Sequence, residues 1–141
     1  GMSIASGILV LMIGSLAGSM LFFGVVVAPQ VFRALPEESA GRFLRAFFPG
    51  YYLWGGIVAT LAGLTANFVD WVSSVICLLV IISFAYARQR LMPQINAARD
   101  ASLRGEGSAT QRFERLHRFS VVINGLQFLL LLIVAARIIW T

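Results

Sequence analysis

The sequence predicts an all-α membrane protein, an antiparallel four-transmembrane-helix bundle that forms a single membrane domain over residues 1–141. Hydrophobic residues make up 59% of the chain and charged residues only 12%, whereas about 25% of the residues of a typical soluble domain are charged. A transmembrane helix needs about 20 mostly apolar residues. The stretches between the charged residues provide four such helices, at residues 4–27, 51–68, 71–86 and 120–140.

The third stretch is the shortest of the four. It is expected to be extended by Phe68 and Val69 through a tight turn at Asp70. Four spans place both termini on one side of the membrane, and the two longer loops, at residues 28–50 and 87–119, on the other.

The arginines predict the orientation of the bundle. All 11 basic residues are arginines, and ten lie in the two longer loops, whereas Arg137 alone lies at the opposite side. Because loops rich in basic residues stay in the cytoplasm, both termini are expected outside it. Trp71 and Trp140 then fall at the outer interface and Trp54 at the inner one, where such rings are enriched. We expect an integral protein of the bacterial inner membrane.

The net charge of +5 is interpreted as part of this topology. We therefore expect no nucleic-acid partner, although a high positive charge in a soluble protein would suggest one. The expected partners are the lipid bilayer and anionic lipid head groups, which an arginine-rich rim can attract.

The first long loop is predicted to hold a short amphipathic interfacial helix between spans 1 and 2, from Pro36 to Phe48. Its apolar residues recur at i, i+3, i+4 and i+7, which places one face in the acyl boundary. These residues are Ala40, Phe43, Leu44 and Phe47. Pro49 and Gly50 are expected to end this helix and to turn the chain back into the membrane.

The second long loop is predicted to form a helical cytoplasmic hairpin between spans 3 and 4. Span 3 is expected to continue past Pro93, with a kink, to about Leu103. A capping box at residues 108–111 predicts the start of a helix that runs to Trp140. The sequence shows no internal repeat.

Polar residues at helical spacing give the main candidate site. His117, Ser120, Asn124 and Gln127 follow one another at intervals of 3, 4 and 3 residues on the predicted fourth helix, so they share one face. Because an amide facing lipid is costly, this face should point into the bundle. Thr60 and Asn67 of the second span could bond across to it. Such a face can be a polar path or binding site, or it can only fix helix packing.

Other features of the spans favour association over chemistry. The small-xxx-small pattern at Gly14 and Gly18 is typical of close helix contacts, within one chain or in a homo-oligomer. Cys77 and the scattered methionines Met12, Met20 and Met92 are possible Cu(I) ligands, but no spacing clusters them. No catalytic motif is present, so we expect neither an enzyme nor a cofactor, and no metal site is assigned.

Several motifs in order resemble the transmembrane protein 205-like family, a four-span membrane family of unknown function. They are Pro29-Gln30-Val31-Phe32, Phe47-Phe48-Pro49-Gly50-Tyr51-Tyr52, Arg90-Leu91-Met92-Pro93, and residues 113–117 followed by Ser120 and Asn124. The resemblance covers nearly the whole chain. It implies roles for Phe48, Pro49, Tyr51, His117, Ser120 and Asn124.

Three functions are compatible with this sequence. The first is a membrane protein that binds or transports a small solute through the polar face of helix four. The second is a structural or accessory membrane subunit that acts by helix packing and partner binding. The third is a metal-handling membrane protein.

Overall fold

The computed structural model describes residues 3–140, so the predicted domain of residues 1–141 extends past the described part at both ends. The described chain is helical and, within residues 3–140, contains no strand. Its elements are α1 (Ile4–Phe22), a π-helical segment (Phe23–Val27), α2 (Ala28–Ala34), α3 (Glu37–Ala66), α4 (Trp71–Tyr86), a second π-helical segment (Ala87–Leu91), α5 (Met92–Leu103) and α6 (Ala109–Ile139).

These elements join into four helices that are long and apolar enough to cross a membrane. They are span 1 (Ile4–Ala34), span 2 (Glu37–Ala66), span 3 (Trp71–Leu103) and span 4 (Ala109–Ile139). The predicted four-span helical fold is confirmed. Each span has 30 to 33 residues, about 45–50 Å at 1.5 Å per residue. Since a hydrocarbon core is about 30 Å thick, every span is longer than the membrane requires.

The four spans follow one another around the bundle. Each packs against the next along the chain, and span 4 closes the arrangement against span 1, while the diagonal pairs do not approach at the backbone. The core is apolar and runs along the bundle axis, with Leu9 and Leu16 of span 1, Val80 of span 3 and Leu131 of span 4 buried in it. Leucine, isoleucine and valine side chains cover the outside, as expected for a surface that faces lipid.

The prediction of a separate interfacial helix between spans 1 and 2 is wrong. The chain is helical from Glu37, but the helix continues through Pro49 to Ala66 without a break. In a membrane an interrupted helix would expose unpaired backbone groups, at several kcal/mol each, so continuing past a proline is favoured. Stacked rings also hold this region, and Phe47 lies on Phe23 with ring centroids 4.8 Å apart instead of facing only lipid.

The hairpin between spans 3 and 4 is helical, as predicted, and span 3 continues past Pro93 to Leu103. The predicted capping box is wrong. Ser108 makes no side-chain capping bond, and its backbone (φ −91°, ψ 20°) is outside the extended region that an N-cap residue adopts. Gly105 and Gly107, both at positive φ, turn the chain directly into α6.

The opposite end of the bundle holds the short connection between spans 2 and 3. Span 2 ends at Ala66, and Asp70 caps the N-terminus of α4 by accepting a hydrogen bond from the Ser73 amide at 2.7 Å. We call this the turn end. The other end, which carries the two longer predicted loops, is the arginine-rich end.

A repeat that the sequence analysis did not find relates the two halves of the chain. Both π-helical segments are followed by x-Pro-Gln, at Pro29 and Pro93, 64 residues apart. The same interval relates buried residues of span 1 to buried residues of span 3: Leu9 and Ser73, Ile13 and Cys77, Leu16 and Val80, Met20 and Phe84. An interval of 72 relates the buried residues of spans 2 and 4: Gly55 and Gln127, Ala59 and Leu131, Ala62 and Val134, Ala66 and Ile138.

The two halves are therefore two helical hairpins that run in the same direction across the bundle. Such parallel repeats are related by an axis along the membrane normal. The expectation that the chain lacks a repeat is corrected: the repeat lies in burial and helix geometry, and few of the paired residues are identical.

Candidate functional site

The four polar residues of span 4 divide into two pairs. His117 is exposed and its ring stacks on Phe113, with centroids 6.1 Å apart. The Ser120 hydroxyl donates to the His117 carbonyl at 2.6 Å, so it is satisfied by its own helix. The structure therefore keeps His117 and Ser120 out of the bundle core.

Gln127 lies inside the core, with 2% of its surface exposed. Its Nε2 donates to the Ser83 hydroxyl of span 3 at 2.8 Å, and that hydroxyl donates to the Val80 carbonyl at 2.6 Å. Gln127 Oε1 is buried and has no hydrogen-bond partner. One half of this amide thus joins two spans, while the other half keeps an unused acceptor.

Asn124 lies one turn closer to the arginine-rich end. Its side chain faces the hydroxyl of Tyr51 on span 2, across the diagonal of the bundle. Both the Tyr51 hydroxyl and Asn124 Oδ1 are buried, and neither makes a hydrogen bond of good geometry. We call Tyr51, Ser83, Asn124 and Gln127 the amide–tyrosine cluster.

Thr60 and Asn67 of span 2 are not brought to this cluster. Both are exposed. The Thr60 hydroxyl donates to the Gly56 carbonyl at 2.7 Å, and Asn67 Oδ1 accepts from the Ser74 hydroxyl at 2.7 Å. These two side chains lie on the outer surface of span 2, away from the face that carries Tyr51.

Aromatic side chains surround the cluster on its arginine-rich side. The Tyr51 ring lies 5.1 Å from that of Phe23 and 5.8 Å from that of Phe48. A groove of about 430 Å³ between spans 1 and 2 reaches Tyr51, with Phe23 and Trp54 among its walls. The cluster therefore borders a groove that opens on the surface of the bundle.

The family-motif prolines lie close to this region but have different surroundings. The Pro49 carbonyl accepts a hydrogen bond from Arg88 Nε at 3.1 Å. Pro29 and Pro93 each come two residues after a π-helical segment. These prolines shape the helices, and none of their rings belongs to the amide–tyrosine cluster.

Toward the turn end the core becomes apolar. Val80, Cys77, Leu131 and Val134 are buried there, so the polar cluster occupies only one part of the bundle axis. Within residues 3–140, the row of polar side chains on span 4 does not continue through this apolar part.

An ion pair lies beyond the apolar core, at the turn end. Arg137 donates to Asp70 Oδ1 at 3.2 Å. Burial of Asp70 by itself raises its pKa, but hydrogen bonds from Ser73 and the guanidinium of Arg137 outweigh burial, so the pKa of Asp70 lies below its usual value. This pair joins the start of span 3 to the end of span 4.

Of the candidate Cu(I) ligands, Cys77 and Met20 are buried in the core and Met12 packs against it, whereas Met92 lies at the start of α5. His117 is exposed near the arginine-rich end. Among residues 3–140, no three histidine, cysteine, aspartate or glutamate side chains form a group that could hold a metal ion.

Sequence reasoning missed Ser83, the partner of Gln127. A serine in a charge-free span is a weak indication, because such residues often bond to their own helix, as Ser83 also does. The interval of 64 residues between Ser19 and Ser83 would have indicated that the two serines have equivalent roles. Trp54 of span 2 donates to the Ser19 hydroxyl at 3.3 Å, just as Gln127 of span 4 donates to Ser83.

The fold and the position of these polar groups define a class: an all-α integral membrane protein of four spans with a polar cluster inside one part of the bundle. The chain belongs to the DUF4149 family, a domain of unknown function, whose model matches residues 11–103. That stretch covers most of span 1 and all of spans 2 and 3, so it includes Tyr51 and Ser83 but not Asn124 or Gln127. No curated protein and no solved structure matches the chain.

Proposed function

We propose that this protein binds a small, neutral, hydrogen-bonding solute at the amide–tyrosine cluster, as the first step of its movement through the polar face of span 4. The observation that carries the proposal is the set of three buried polar atoms that make no hydrogen bond of good geometry: the Tyr51 hydroxyl, Asn124 Oδ1 and Gln127 Oε1. Buried polar groups are normally hydrogen-bonded, and an unpaired one costs about 1–3 kcal/mol.

The chemistry of these atoms indicates the class of solute. Two are amide oxygens, which only accept hydrogen bonds, and the third is a hydroxyl, which can donate or accept. A solute with two or more N–H or O–H donors would satisfy them. No carboxylate or guanidinium belongs to the cluster, so a charged solute would be buried without a counter-ion, which is costly. A polyol or a small amide fits best.

The position of the cluster supports binding rather than packing alone. It lies where the two repeats meet, between span 2 of the first hairpin and span 4 of the second. In transporters built from repeats, substrate sites are found at such interfaces. The groove that reaches Tyr51 offers a route of entry.

The test measures solute entry into liposomes that contain the full chain, with glycerol and acetamide as the probes. Light scattering after rapid mixing reports the rate of swelling. We expect both probes to enter faster than in protein-free liposomes. Asn124→Leu and Gln127→Leu should return the rate to the protein-free value, whereas Thr60→Leu, a polar-to-apolar change outside the cluster, should leave it unchanged.

The proposal fails if liposomes with wild-type protein swell no faster than protein-free ones. It also fails if folded Asn124→Leu and Gln127→Leu proteins keep the wild-type rate. Binding of each probe is measured separately from the rise in thermal unfolding temperature of the purified protein, which a solute that binds the folded state must produce.

A second candidate is a structural or accessory subunit, and the hydrogen bond between Gln127 and Ser83 favours it. Interhelical bonds of this kind stabilise bundles by about 0.6–2 kcal/mol. This candidate predicts that Gln127→Leu lowers stability and that wild-type protein produces no flux. Metal handling, the third candidate, is not supported by any group of three histidine, cysteine, aspartate or glutamate side chains among residues 3–140.

We further propose that the arginine-rich end faces the cytoplasm of a bacterium, that the chain forms a homo-oligomer and is not an enzyme, and that the family is related to the transmembrane protein 205-like family. Charge asymmetry supports the orientation. The order of the proline and aromatic motifs supports the relationship.

A further inference from the structure

A second groove lies on the outer surface, between spans 2 and 3. It has a volume of about 370 Å³, within the range of ligand pockets. Leu53, Ile57 and Leu61 form one wall and expose about half of their surface. Because Gly56 has no side chain, the surface between the two spans is recessed at this position. This groove is separate from the amide–tyrosine cluster.

The end of the groove that points to the arginine-rich end is polar. Tyr52, Arg88 and Gln89 line it there. The π-helical segment Ala87–Leu91 carries the latter two residues, and π-helical turns in helices are frequent at functional sites. The groove is thus apolar along its length and cationic at its mouth.

Arg88 is fixed in place without a counter-ion. Its Nε donates to the Pro49 carbonyl at 3.1 Å, which holds the side chain beside the groove. Arg45 and Arg104 have carboxylate partners, Asp100 and Glu106, but no described residue forms an ion pair with Arg88. Its guanidinium therefore offers further donors to an anion.

We propose that this groove binds an anionic phospholipid, with an acyl chain along Gly56 and the phosphate at Arg88. The position of Arg88 along span 3 is consistent with a bound phospholipid. It follows Trp71 by 17 residues, about 26 Å along the helix, so it lies close to the head-group boundary of a hydrocarbon core about 30 Å thick. Arginine is well suited to phosphate because its planar group presents several donors at once.

The test is native mass spectrometry of the full chain released from detergent micelles, with phosphatidylglycerol or phosphatidylcholine added. We expect the wild-type chain to retain phosphatidylglycerol in preference to phosphatidylcholine. Arg88→Gln should weaken phosphatidylglycerol retention about fivefold. The matched control is Arg90→Gln, which removes the same charge from an exposed residue outside the groove and should change retention less than about twofold.

Gly56→Leu should reduce retention of both lipids because its side chain occupies the groove. A Cβ at Gly56 would meet only Phe84 Cβ, at 4.0 Å, so the first atom of the new side chain does not clash with span 3. If Gly56→Leu still fails to fold, Thr60→Leu fills the same groove from an exposed position.

Equal retention of the two lipids by the wild-type chain would overturn the proposal, as would an equal loss in Arg88→Gln and Arg90→Gln. A dimer without bound lipid that disappears in the groove-filling variants would assign the groove to a second copy of the chain and would also overturn it. The cluster residues are unchanged in all these variants, so the solute proposal stands or fails independently.

Discussion

Gly55 and Phe84 show how closely spans 2 and 3 pack. Phe84 is buried, with 1% of its surface exposed, and its ring lies directly on the backbone at Gly55. A Cβ built on Gly55 would come within 2.7 Å of Phe84 Cδ1. The Tyr52 ring, 6.4 Å from that of Phe84, also limits where the phenyl ring can move. Only glycine leaves the space that this ring occupies.

Gly55→Ala should therefore destabilise the protein by about 1–3 kcal/mol, because the added methyl group overpacks the contact. Gly125→Ala is the matched control, since a Cβ there meets no heavy atom within 4 Å. Unfolding by dodecyl sulfate in mixed micelles measures both free energies. Equal effects at the two positions would show that Phe84 can move out of the way.

Asp70 makes stability depend on pH. Because its pKa is lowered in the folded state, the ionised carboxylate stabilises the fold at pH values above its unfolded pKa of about 3.9. This stabilisation is lost as the pH falls through the folded pKa. Between about pH 6 and pH 3, wild-type protein should lose more stability than Asp70→Asn, in which an amide still caps α4. Parallel pH profiles of the two proteins would contradict this role.

At the scale of helices, each of the two π-helical segments makes room for the proline that follows it. Each precedes a proline by two residues, and the Ala28 and Met92 amides donate to carbonyls five residues back, on Phe23 and Ala87. The residue before a proline fits poorly into a regular α-helix, and a wider turn gives it room. Both segments also border a groove against span 2, so proline placement and groove formation are linked.

One face of span 1 packs against no other helix within residues 3–140. Gly14 and Gly18 are exposed, and a Cβ at either position would meet no heavy atom within 4 Å. If this face forms the proposed homo-oligomer, Gly14→Leu and Gly18→Leu should weaken association at least about tenfold, because bulky side chains prevent close approach. Cross-linking in liposomes over a range of protein densities measures this, with Gly125→Leu as the control on span 4. Unchanged cross-linking would exclude this face.

At the scale of the whole molecule, two similar hairpins form the bundle, and each contains a serine hydroxyl that accepts a hydrogen bond from the other span of its hairpin. Trp54 donates to Ser19 in the first hairpin and Gln127 donates to Ser83 in the second. The two bonds belong to different halves and share no residue.

Ser19→Ala and Ser83→Ala should therefore have additive effects on stability. Each should cost about 0.6 to 2 kcal/mol, and Ser83→Ala should cost more, because it leaves the buried Gln127 amide without a partner. A double-mutant cycle on unfolding free energies provides the measurement. A coupling term above about 0.5 kcal/mol would show that the hairpins do not act independently.

The charge distribution was sufficient to predict the number and order of the spans, because lipid excludes charged residues from their centres. Pro49 was misjudged because a proline followed by glycine usually ends a helix, whereas a membrane favours a continuous one. The polar face of span 4 was predicted as one unit, yet only Asn124 and Gln127 reach the core. Span 4 is longer than the membrane, and residues near His117 extend toward the arginine-rich end.

The paired prolines, serines and buried positions have an evolutionary consequence. Duplication and fusion of a gene that encodes one hairpin would produce such an arrangement. The two hairpins now differ in chemistry: the first carries a tryptophan donor and a glycine contact, and the second carries a buried carboxamide.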